Sequence, residues 1–144
     1  MNEAMNVKYV PVINPGAIVD NASFTCAEID TMGFGYVQFL FQFGATDIAM
    51  AALKLTESDT SGSGFTDVDG ADYSTDSTLP SATADNKIYA INVATKARKR
   101  YLKPVATAGD GSTGTYLSAI AVLSRPSESP TSATGRGFAA ELTV

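Results

Sequence analysis

Gly109-Asp110-Gly111-Ser112-Thr113-Gly114 has the spacing G-x-G-x-x-G, which in dinucleotide-binding proteins cradles a pyrophosphate. That chemistry needs the glycines to open a helix whose N-terminal amides face the anion. Strand-like runs flank the motif and Thr115-Tyr116-Leu117 is poor material for a helix start, so a hairpin loop is predicted instead. No G-K-[ST] follows a glycine cluster, which excludes a P-loop. Asp67, Asp69, Asp72 and Asp76 surround Gly70 and offer the oxygen ligands that hard cations take. The EF-hand spacing fails, because Gly70 falls two positions early and Thr78 stands where the closing Glu belongs. Solvated turn carboxylates are the expected reading, and nothing apolar surrounds them to raise one pKa for acid–base work.

Lys96, Arg98, Lys99, Arg100 and Lys103 place five cations in eight residues, with Tyr101 among them. By contrast, Asp47 to Asp85 holds eight acids and one base, Lys54. The cations read in three ways: a phosphate or nucleic-acid contact, a solvated turn and strand edge, or a strip that docks on an acidic partner such as a neighbouring copy. The whole chain has a net charge of −5, which disfavours nucleic acid as partner. There is no His, no Trp and one Cys among 144 residues. Ser-His-Asp and Cys-His hydrolase arrangements, His-ligated metals and internal disulfides are thereby excluded. No enzyme activity, metal or cofactor is expected. Cys26 is predicted to be a small buried hydrophobe, and its solitude fits a reducing compartment. Asn21-Ala22-Ser23 matches a glycosylation acceptor, but no secretory signal is seen at the N-terminus.

These residues sit on a chain of short β runs. Val7–Ile13 is apolar and β-branched and ends at Asn14-Pro15-Gly16; Ser23–Asp30 reads as a short strand. In Gly35–Phe43, Val37, Phe39, Phe41 and Phe43 share one face, while Tyr36, Gln38 and Gln42 take the other with Leu40. Ile48–Thr56 fits either a helix or a strand. Glu57–Asn86 turns to Ser, Thr, Gly and Asp and is expected as a long exposed excursion, with pairing confined to Phe65–Val68 and Ala71–Tyr73. Lys87–Thr95, Tyr101–Thr107 and Thr115–Ser124 follow as strands. Pro104 cannot donate to a ladder, which predicts an edge or bulged strand. Ser127–Gly137 is a Ser/Thr/Pro/Gly linker leading to the apolar end Phe138–Val144. No apolar run reaches the ~18 residues a membrane span needs. An all-β antiparallel sandwich, jelly-roll-like with long loops, is predicted over 1–126, with a linker and C-terminal arm over 127–144.

Three stretches carry a resemblance: Ala52-Leu-Lys-Leu-Thr-Glu-Ser-Asp59, Phe65-Thr-Asp-Val-Asp-Gly-Ala71, and Ala97-Arg-Lys-Arg-Tyr-Leu-Lys103 with Val105-Ala-Thr107. With the later apolar Ala121-Val-Leu-Ser-Arg125, their order resembles small head proteins of tailed bacteriophages over about Ile48 to Pro126. The resemblance assigns Ile48–Thr56 to strand. It implies a capsid decoration (cement) protein: a structural virion component, made in the host bacterial cytoplasm, that binds the major capsid protein on the outer shell as a homotrimer. The basic strip and the tail residues Phe138 and Leu142 are the expected partner contacts. A carbohydrate- or receptor-binding module of a tail or fibre is the alternative, for which Tyr36, Tyr73 and Tyr116 are the candidate platforms.

Overall fold

A computed structural model describes residues 3–144. Eight strands form two four-stranded antiparallel sheets: β1 (Lys8–Ile13), β2 (Ile29–Asp30), β3 (Phe34–Thr46), β4 (Ala52–Ser58), β5 (Thr66–Asp72), β6 (Ile88–Ala94), β7 (Tyr101–Thr107) and β8 (Thr115–Pro126). One sheet, A, has the order β1-β8-β3-β6; the other, B, has β2-β7-β4-β5. The pairing is nested: first with last, second with seventh, third with sixth, fourth with fifth. The chain is therefore an all-β sandwich, as its alternating runs predict.

The core is the layer between the sheets. Val37, Phe39, Phe41 and Phe43 of β3 are almost wholly buried and belong to one apolar cluster with Leu53, Leu55, Leu102 and Ala106 of sheet B. Each of the three phenylalanine rings contributes about 2–3 kcal/mol by leaving water. Cys26 is buried at the rim of this cluster, and burial pushes its thiol pKa up. Of the stretch Ile48–Thr56, Ala52–Thr56 is strand, part of β4, whereas Ile48–Ala51 lies outside it.

Several local expectations are corrected. The Ser23–Asp30 strand shrinks to β2 plus a bridge from Ser23 to Thr107, because the chain is crossing between sheets: Phe24 donates to Ala106 of sheet B and Ala27 to Val12 of sheet A. Gly109–Gly114 is no hairpin, since β7 lies in sheet B and β8 in sheet A. The strand with Pro104 is second in its sheet rather than at an edge. Pro104 is tolerated because β2 pairs only with Leu102 and Tyr101 and the next bond on that side reaches Ala106, so no ladder partner faces it there. Glu57–Asn86 is more ordered than its composition suggests. It supplies a seven-residue β5 and a one-turn helix α1 (Tyr73–Asp76) capped by Asp72. Pro80 and Ala84 then pack down onto the core, and Met50 donates to the Pro80 carbonyl.

Candidate functional site

The basic strip occupies the turn between β6 and β7 and the start of β7. Two carboxylates distant in sequence meet it. Asp30 takes Arg100 in a two-pronged pair, Nε at 2.9 Å and Nη2 at 2.8 Å. The Arg100 side chain holds the Asp30 carboxyl below the usual aspartate range, and the pair raises the guanidinium in turn. Glu57 lies 3.5 Å from Arg98 and accepts from the Lys99 backbone at 3.0 Å. Lys103 reaches over the Phe65 ring at 5.6 Å. Lys96 is exposed, and no carboxylate lies within 4.0 Å of its ammonium or that of Lys99 among the described residues. The five cations thus share one end of the sandwich, but the arginines are committed to internal partners. A guanidinium fork filled by a carboxylate has little left for a phosphate.

The tail turns back onto β1, the edge strand of sheet A. Tyr9 donates its backbone N–H to the Arg136 carbonyl at 2.9 Å, and Phe138 stacks on Tyr9 at 4.9 Å. Arg136 is 4% exposed and binds the Glu141 carboxylate and the Pro130 carbonyl. Gly137 sits at φ +87°, where a Cβ would run into the Tyr9 carbonyl. Phe138 is therefore occupied within the chain, while Leu142 and Val144 stand fully in solvent. The basic strip and the tail anchors lie on different elements and form no joint site.

The glycine motif does hold an anion, supplied from within. Asp47 accepts from the Ser112 and Thr113 amides at 2.7 and 2.6 Å, and Asp20 accepts from Gly111 at 2.9 Å. The Thr113 amide, foremost among several, keeps the Asp47 carboxyl below its ordinary value. The amides that would cradle a pyrophosphate are thereby used to fasten the crossover loop. In the acidic segment, Asp67 pairs with Lys54 at 2.9 Å, Asp72 caps α1 through Ser74, and Asp76 accepts from the Asp72 amide. No group of three or more His, Cys, Asp or Glu side chains poised for a metal occurs among the described residues. No helix there is long and apolar enough to cross a membrane.

The feature not singled out from the sequence is the outer face of sheet A. Residues directly opposite in a ladder share a face. Pro11 opposes Ile120, Ile120 opposes Leu40, and Leu40 opposes Ala90, so one apolar row crosses all four strands at mid-length. On one side of it Tyr9, Val122, Gln38 and Asn92 form the next row, with Gln38 bonded to Asn92 at 2.8 Å. On the other side lie Ser118, Gln42 and Ile88. None of these residues is charged. Ile88 is 62% exposed and Ile120 41%. The one sequence signal was Leu40 standing among Tyr36, Gln38 and Gln42 on the polar side of its strand.

Comparison with protein-family models, with curated proteins and with solved structures returns no match.

Proposed function

We propose that this chain is a structural protein that works by surface contact, without catalysis. More particularly, it is a bacteriophage head component that binds the major capsid protein and reinforces the outer shell. The observation that carries this reading is the nested pairing of eight strands. It supports reading the sandwich as a jelly roll, an architecture used by viral shell proteins and by lectins, and it accompanies the resemblance of Ile48–Pro126 to small phage head proteins. Fold alone does not choose between those two uses. The three tyrosines favour the shell, because they do not converge on one sugar platform. Tyr36 lies under Arg125, Tyr73 donates to the Ala90 carbonyl, and Tyr116 closes over Gly44.

In the experiment, purified protein is mixed with shells of the parent phage assembled without it, pelleted, and titrated to saturation. Saturable binding in fixed ratio to the major capsid protein is expected, together with no hits on a glycan array. Failure to pellet with shells at any concentration overturns the reading.

A further inference from the structure

We infer that the outer face of sheet A is a self-association surface that pairs two copies about a two-fold axis lying along the row Pro11–Ile120–Leu40–Ala90. The resemblance implied three copies; the geometry of this face is suited to two. A two-fold contact is isologous, so the surface must match itself. An axis along the central row brings Leu40 over Leu40 and Ile120 over Ile120 of the second copy. Gln38 and Gln42 stand two residues to either side of Leu40 on β3. The same rotation therefore lays the Gln38–Val122 row over the second copy's Gln42–Ser118 row, amide against amide. The central seam is apolar and its flanks are uncharged, mixing Gln38, Asn92, Gln42 and Ser118 with Val122 and Ile88, while the Tyr9 corner is already covered by Phe138 of the same chain. Within these rows no charge has to lose water, which is the composition interface cores favour. Two β faces packed this way keep their strands within about 30° of alignment.

The charges at the ends of the strands fix which axis is used. One end of sheet A carries Lys8, Lys96 and Arg125 beside Glu128; the opposite end carries Asp20, Asp47, Asp85 and Asp110 beside Lys87, so the first is net basic and the second net acidic. An axis running parallel to the strands would stack the acidic ends of both copies together. An axis across the strands sets the basic end of each copy over the acidic end of the other, which is complementary. Arg125, which lies over Tyr36 at one rim, then faces the rim formed by Tyr116 of the second copy.

The size of the face sets the strength of the contact. Four strands by about seven residues cover about 440 Å² per copy. Both copies together bury about 900 Å², below the ~1,200 Å² at which stable pairs begin, so the dimer is reversible.

Sedimentation equilibrium of the full chain tests this without any virus particle, so its failure is separate from failure of the shell-binding reading. The wild type should pass from monomer to dimer between about 1 and 100 µM, less readily as salt rises. Ile120→Lys should stay monomeric throughout that range with an unchanged circular-dichroism spectrum, and the milder Leu40→Gln should weaken association about tenfold. A short bismaleimide should join Leu40→Cys chains, because the axis passes through that position. It should leave Tyr36→Cys chains single, because Tyr36 faces the second copy near Gly44. Cys26 is buried and serves as the unreactive background. A wild type monomeric at every concentration, a trimer, an Ile120→Lys protein that still dimerises, or cross-linking as strong at Tyr36→Cys as at Leu40→Cys overturns the inference.

Discussion

The two sheets have opposite outer faces. Sheet A shows an uncharged surface crossed by an apolar row, whereas sheet B carries ions, several of them paired within the chain. On sheet B, Lys54 is paired with Asp67, Asp30 grips Arg100, and Lys103 covers Phe65. A face whose charges are matched within the chain gains little from a partner and would lose hydration on docking. A face of amides, hydroxyls and aliphatics loses little. On the pairing proposed above, the charge segregation conspicuous in the sequence marks the surface that stays wet, and the contact falls on the face without charge.

The sharpest way to break this comparison is to exchange inward for outward residues on β3. Phe41→Ala should cost about 3–5 kcal/mol of unfolding free energy, since it empties a wholly buried site. Its neighbour Leu40→Ala should cost about 1 kcal/mol or less, read by urea denaturation of dilute, monomeric protein. A large loss at Leu40 would mean that this face already serves the fold of a single chain. Acid should separate the faces next. The Asp30 pKa is lowered, chiefly by Arg100, so the ionised carboxylate is favoured in the folded state. Its contribution is complete above the ordinary aspartate value of about 3.9 and is lost as pH falls through the lowered folded value. The Met32 amide, bonded to Asp30 at 3.0 Å, should therefore shift in NMR spectra only below about pH 4. Amides of Gln38 and Asn92 should stay still over the same range, and movement there, or a Met32 midpoint above that value, contradicts the assignment. The smallest effect is expected at Lys54→Ala. Its partner Asp67 is well exposed, so the loss should fall within about 1 kcal/mol and shrink with salt.

Much of the fold could be read from local pattern. The alternation of Val37, Phe39, Phe41 and Phe43 defines a buried strand face whatever lies opposite. What local pattern does not carry is which strand lies opposite. Leu40 meets Ile120 from β8, and only that register turns a lone leucine into a row. The basic strip has the same limit, because the carboxylates that answer Arg98 and Arg100 come from Glu57 and Asp30, far away in sequence. Pro104 implied an unpaired neighbour, and it has one, but on an inner strand whose partner β2 is only two residues long. The glycine motif reads as a hairpin loop from its flanking strands; it is a crossover between sheets, and its amides are held by Asp47 from a different loop. Arg136 lies in the stretch read as a Ser/Thr/Pro/Gly linker, yet it is 4% exposed. Its burial depends on Glu141 and on Tyr9 of β1, at opposite ends of the chain.

The central claim is that this protein acts as a shell component by surface contact. Quantitative mass spectrometry of purified phage particles tests it most directly. The account predicts copies in a fixed proportion to the major capsid protein, as a molecule repeated over the whole surface must show. A handful of copies per particle, as a tail-tip or fibre component would give, or none at all, would contradict it.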